Sequence, residues 1–189
     1  MNRQELLTLL EASPVVAAVK DEEGLKALHQ SDCKIVFILF GSILNIASIV
    51  DEVKRGGRTA FVHIDLIDGL SSRDVAVDFI AERTEADGII STKLPVIRYA
   101  KTRGLATVQR FFLLDSMALS TIAKQIGQSM PDMIEVLPGC LPKIIRKICQ
   151  TTDVPLIAGG LIQDKEDIIA ALEAGATGIS ATRSEIWEM

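Results

Sequence analysis

Short, nearly unbroken apolar runs recur along this chain: VVAAV (15–19), IVFILF (35–40), TAFVHI (59–64), GIIS (88–91), ATVQRFFLL (106–114), MIEVL (133–137), PLIAG (155–159) and GISA (178–181). Most do not alternate apolar with polar residues. Continuous runs suit parallel strands covered on both faces. Segments with helical periodicity lie between them: EEGLKALHQ, IASIVDEVKRG, SRDVAVDFIAER, PVIRYAKTRG, SMALSTIAKQIGQ, LPKIIRKICQ and DKEDIIAALEAG. Gly56, Gly104 and Gly175 stand where helix C-caps are expected. Asp164 precedes the acid-rich turn KED, which predicts an N-cap.

Strand and helix alternate about eight times, which predicts an α/β protein with a parallel sheet. That number favours a compact TIM (β/α)8 barrel over an open doubly wound sheet, the rival arrangement. The chain has 189 residues, whereas such barrels usually have ~250. Short loops and a curtailed C-terminal helix are therefore expected. No Pro/Ser-rich linker or low-complexity tract interrupts the pattern, so residues 1–189 read as a single barrel domain.

Composition narrows the class. The chain is 48% hydrophobic with a net charge of -5, a globular balance able to bury one core. No apolar stretch reaches the ~18 residues of a membrane span. The N-terminal MNRQELLTLLEAS carries acids and does not read as a secretory signal. A cytoplasmic protein with no membrane association is expected. Cys33, Cys140 and Cys149 show no CxxC spacing, and the chain has two histidines. No metal site is expected from that set. The acidic balance argues against non-specific nucleic-acid binding but leaves room for a local basic patch.

The stretch VPLIAGGLI (154–162) places Gly159 and Gly160 together where a strand ends. Glycine weakens strand interiors, so bare backbone here implies a close approach. In such barrels phosphate often binds between the loops after the seventh and eighth strands. Gly159 and Gly160 follow the seventh run, and Ser180 and Thr182 follow the eighth, making these four the expected phosphate grip. A simple tight turn is the alternative for the glycines. Other strand ends carry Lys20, Asp65, Lys93 and Glu135, expected to contact ligand hydroxyls or charge. Glu135 lies inside an apolar strand, where Arg110 of the neighbouring unit is its structural partner under the competing interpretation. His63 shares a strand face with Asp65 and reads either as a general base or as a packed side chain. Cys140 reads as inert, since no histidine is placed to activate it.

Two helices carry basic clusters. Lys143, Arg146 and Lys147 fall on one face of LPKIIRKICQ. Arg98, Lys101 and Arg103, with Tyr99, lie on PVIRYAKTRG. Both are candidate nucleic-acid patches, and solvated outer-helix charge is the plainer explanation of each.

At HIDLIDGLS, IISTK, EVLPGCLPKII and PLIAGGLI…GATGISATRSEIW, the chain resembles the glycerol-uptake operon antiterminator regulatory family, the GlpP type. These segments are spread over most of the chain. The resemblance implies a small barrel that responds to glycerol-3-phosphate and binds the leader mRNA of glycerol-utilisation genes, preventing premature termination. It implies no catalytic residue and no cofactor other than that effector. By position it supports Gly159, Gly160, Ser180 and Thr182 as the phosphate grip, and Asp65, Lys93, Glu135 and Lys20 as further contacts. It assigns no RNA-contacting residue; Lys143, Arg146 and Lys147 stand on their helix spacing alone. A final helix completed by a neighbouring copy would make the protein a homo-oligomer. The alternative is a TIM-barrel enzyme acting on a small phosphorylated polyol or sugar.

Overall fold

A computed structural model describes residues 1–189. Eight parallel strands close into a barrel in chain order: β1 (Val15–Val19), β2 (Ile35–Ile38), β3 (Thr59–His63), β4 (Gly88–Ser91), β5 (Ala106–Phe112), β6 (Met133–Leu137), β7 (Leu156–Gly159) and β8 (Gly178–Ala181). Strand β1 pairs with β8, Val16 opposite Ser180, which rules out the open sheet. Every predicted run forms a strand. Those at 35–40, 59–64 and 106–114 overrun into loops, because apolar residues such as Ile64 continue into the outer core.

The outer ring is α2 (Glu22–Ala27), α3 (Ile46–Arg55), α4 (Asp74–Arg83), α5 (Leu94–Thr102), α6 (Ser116–Ser129), α7 (Pro142–Cys149), α8 (Lys165–Glu173) and α9 (Ser184–Trp187). As expected, α9 is short, with four residues. Trp187 anchors it: the ring is buried and its Nε1 donates to Ala181 O at 2.8 Å. Asp164 caps α8 by accepting from Asp167 N at 2.9 Å. Gly104 and Gly175 adopt the left-handed conformation expected of C-cap glycines, φ 77° and 106°. Gly56 does not, with φ -77°; Gly57 takes that place at φ 72°. The turn closing α3 runs one residue further than the pattern implied.

Helix α1 (Arg3–Ala12) was not anticipated from the apolar runs. Asn2 Oδ1 accepts from Glu5 N at 3.0 Å, and the Glu5 carboxylate accepts from Asn2 N at 2.8 Å, a reciprocal capping box. Leu6 and Leu10 are buried within the inner cluster and close the N-terminal end of the barrel. A Cβ on Gly178 would stand 2.9 Å from Leu10 Cδ2 and 2.8 Å from Pro14 O, so glycine there admits α1.

Inside the barrel, side chains alternate with those facing the helices. Val16, Phe37, Phe61, Ile90, Val108 and Ile157 belong to this inner cluster, and the Phe37 and Phe61 rings meet edge to face at 5.8 Å. Towards the C-terminal mouth the buried residues become polar: His63, Arg110, Glu135 and Ser180. Substitutions at two glycines test this packing. A Cβ at Gly88 would stand 2.4 Å from Phe61 Cε1 and 2.5 Å from Ala106 O, whereas Gly127 on α6 has open space around it. Gly88→Ala should lower the unfolding free energy by about 1–3 kcal/mol. Gly127→Ala should raise it by about 1 kcal/mol, through helix propensity. Urea unfolding midpoints of the two variants, expected to move in opposite directions, check both.

Candidate functional site

The C-terminal mouth is organised around Glu135. On β6 it stands directly opposite Arg110 of β5 in the ladder. Arg110 Nε donates to Glu135 Oε2 at 2.5 Å, and Ser180 Oγ donates to Glu135 Oε1 at 2.5 Å. All three residues are buried. Strand β7 lies between Glu135 and Ser180, and Gly159 is the residue the bond passes. A Cβ there would come 2.5 Å from Ser180 Oγ and 2.6 Å from Glu135 Oε1. The bare backbone at Gly159 therefore admits a carboxylate of the protein itself. Gly159 is buried beneath this bond, and the Ser180 hydroxyl is spent on Glu135. Of the four residues expected to grip phosphate, these two are engaged within the protein.

Gly160 and Thr182 are placed differently. Both line a cavity of about 100 Å³ at the mouth, together with Arg110, Leu137, Leu161 and Ile162, and Ser180 and Glu135 also form part of its wall. The peptide N–H groups of Gly160, Leu161, Ile162 and Thr182 have no acceptor within the protein. Gly160 and Leu161 are left-handed, φ 72° and 59°. That conformation is strained for leucine and is the kind of outlier found at ligand clamps. Arg110 uses only Nε on Glu135, leaving both η nitrogens without a protein partner. The apolar–polar pattern treated Arg110 only as a partner for Glu135; a guanidinium has five donors, and one carboxylate contact does not exhaust them. Lys20 is exposed, makes no ion pair, and shares an adjoining depression with Thr182.

Asp65 and Lys93 lie outside this cavity. Asp65 accepts from Thr92 N at 2.8 Å, Thr92 Oγ1 at 3.1 Å and Ser91 Oγ at 3.0 Å, holding the loop that opens α5. Burial opposes its ionisation, but these bonds outweigh burial and hold its carboxyl below the usual range. Lys93 is the N-cap of α5, an unfavourable place for a cation. The Asp65 carboxylate 3.6 Å away supplies the compensating charge, and Lys93 also donates to Ser72. Both residues, expected as ligand contacts, are engaged in the loop and stand apart from this cavity. Glu135 is likewise committed, although each carboxylate oxygen keeps a second lone pair.

The two basic helices part company. On α5, Lys101 meets Asp132 at 3.0 Å, Arg103 meets Asp78 at 3.0 Å and Glu82 at 2.7 Å, and Tyr99 donates to Asp78. That patch is largely neutralised by neighbouring acids. On α7, Lys143, Arg146 and Lys147 are exposed and enter no ion pair. Cys140 sits half-buried in the preceding loop, and burial pushes the Cys33 and Cys149 thiols up.

His63 is buried beside this network with Nδ1 unpartnered. Burial and the Arg110 charge push its pKa down from 6.5 to about 4, against the opposing pull of Asp65. The unfolded chain therefore takes up this proton at higher pH than the folded one. Its effect on stability is absent above about pH 6.5 and grows as pH falls from there towards 4, where it reaches on the order of 3 kcal/mol. Urea unfolding at about pH 7.5 and about pH 4.5 should show His63→Gln losing less stability on acidification than the unaltered protein.

The family model described as "Glycerol-3-phosphate responsive antiterminator" matches residues 15–187. The uncharacterized protein YgcP of Escherichia coli (strain K12) is 42% identical over 184 residues, covering 97% of this chain and 96% of that one. The crystal structure of the glycerol uptake operon antiterminator regulatory protein from Listeria monocytogenes superposes with a TM-score of 0.89 at 30% identity, over 93% of this chain and 95% of that one. A glycerol uptake operon antiterminator-related protein from Thermotoga maritima superposes with a TM-score of 0.82 at 34% identity, over 93% and 98%. A match over nearly the whole barrel, joined to the mouth geometry above, places this chain in the glycerol-3-phosphate responsive antiterminator family.

Proposed function

We propose that this protein is a cytoplasmic antiterminator that binds glycerol-3-phosphate in the mouth cavity and, so loaded, binds the leader mRNA of glycerol-utilisation genes. One observation carries the ligand assignment. Arg110, whose η nitrogens have no protein partner, lines one small cavity with Gly160, Leu161, Ile162 and Thr182, whose peptide N–H groups have no acceptor in the protein. Donors without acceptors of their own, gathered around one cavity, favour an anion. Gly160, Leu161 and Ile162 with the Thr182 hydroxyl hold the phosphate, and Arg110 and Lys20 offset its charge. Glu135 lines the cavity and retains lone pairs for a glycerol hydroxyl.

The same geometry favours sensing over turnover. A catalytic base needs an uncommitted carboxylate or amine within reach of the substrate. Glu135 already holds Arg110 and Ser180, Asp65 holds the loop before α5, and Lys93 is bound to Asp65. For the transcript, the free cations Lys143, Arg146 and Lys147 of α7 are the proposed phosphate contacts.

Glycerol-3-phosphate at about 100 times its dissociation constant should stabilise the fold by about 2.7 kcal/mol. Glycerol and inorganic phosphate at that concentration should do much less. Thr182→Val should weaken binding by about tenfold, the worth of one hydrogen bond to a charged group. Thermal denaturation with each compound checks both expectations, and equal shifts for all three would remove the assignment. For RNA, Lys143→Ala with Arg146→Ala should weaken leader binding and reduce its salt slope by about 2. A titration of affinity against salt reads this directly.

A further inference from the structure

Exposed apolar side chains gather where β5 and β6 run into their helices. Leu114 is 87% exposed, Met117 72% and Phe112 50%. Leu113, Leu114, Leu119, Leu141 and Ile144 line a groove of about 290 Å³ between the N-terminal ends of α6 and α7. Patches of this kind on a soluble protein mark interaction sites.

Charge identifies the occupant. Between residues 116 and 152 the chain carries Lys124, Lys143, Arg146 and Lys147 as its cations, all exposed. Its acids there are Asp132 and Glu135. Asp132 is held by Lys101, and Glu135 is buried on Arg110. The outer side of α6 and α7 is therefore positive, on a protein whose net charge is -5. Asp115 at the groove caps α6, accepting from Ala118 N at 2.8 Å, where the helix terminus offsets its charge. Leu141 and Lys147 lie about 9 Å apart along α7. One short strand spans both groove and cations.

We infer that this groove receives unstacked bases of a single-stranded RNA segment, whose phosphates lie on Lys124, Lys143, Arg146 and Lys147. The inference rests on the RNA-binding reading above and adds the groove, Lys124 and the strandedness. A polyanion with exposed apolar faces satisfies both halves of the surface. A duplex satisfies only the cations, because its bases are stacked within. A two-fold contact between copies would set this positive surface against its own like.

The same loops carry the mouth cavity. Arg110 and Phe112 lie on one face of β5. Leu113 N donates to Leu137 O at 2.7 Å, and Leu137 lines the cavity. Gly139 N donates to Gly160 O at 3.0 Å. An anion that orders the Gly160 loop thereby orders the loop leading to Leu141. Ligand and RNA affinities are then linked, each raising the other by one factor.

The test uses the full chain, glycerol-3-phosphate and a short uridine-rich single strand containing 4-thiouridine. Photo-cross-links should map to peptides containing Phe112–Leu119 and Leu141–Ile144. Leu114→Ser with Leu141→Ser should weaken single-strand binding about tenfold and leave its salt slope unchanged. Lys124→Ala should lower the slope by about 1. Both variants should keep the unaltered thermal shift with glycerol-3-phosphate, which shows that they fold. Cross-links elsewhere, unchanged affinity in the leucine variant, or equal affinity for duplex overturn this inference while the RNA reading stands. Retained RNA binding with dissociation of a dimer, seen by sedimentation, makes the groove a contact between copies and overturns it as well. No RNA binding by the ligand-loaded unaltered protein overturns both.

Discussion

A carboxylate buried inside a barrel is tolerated only when it is met by a partner of good geometry. Glu135, 1% exposed, meets that condition through Arg110 on one side and Ser180 on the other. The line of contacts crosses β5, β6, β7 and β8, and it passes β7 only because Gly159 has no side chain. Removing one member of such a pair typically costs about 3–5 kcal/mol, since the other charge is left stranded. The polar layer thus joins the strands whose following loops form the mouth, and its geometry decides which groups remain free there.

What remains free is mostly donor. Arg110 retains its η nitrogens, the Gly160–Ile162 backbone retains its N–H groups, and Thr182 retains its hydroxyl. The nearby carboxylates and Lys93 are already committed. A mouth rich in donors and poor in free bases suits the anion-binding role proposed above. His63 fits that picture, since burial and Arg110 keep its imidazole neutral near physiological pH.

The basic helices show how surface charge depends on its surroundings. Both α5 and α7 carry closely spaced cations, and the sequence spacing puts three of them on one face only for α7. Asp78, Glu82 and Asp132, brought beside α5 by folding, quench that patch. The cations of α7 form no ion pair, so their field extends into solvent, where a polyanion feels it.

The periodicity of the chain determined the barrel: eight continuous apolar runs separated by helical segments admit few other arrangements. The C-cap glycines at 104 and 175 and the N-cap at Asp164 were equally legible, because caps are local. The capping box of α1, Asn2 with Glu5, is equally local, but no apolar run marks that helix, and its two buried leucines acquire meaning only at the foot of a closed barrel. The glycine pair pointed to a close approach, yet what approaches Gly159 is Glu135, from a strand 24 residues away in sequence. Closure of the sheet alone decided which polar groups consume one another and which stay open to a ligand. Those choices depend on register and on distances across the barrel, and neither is written in the local pattern of any one segment.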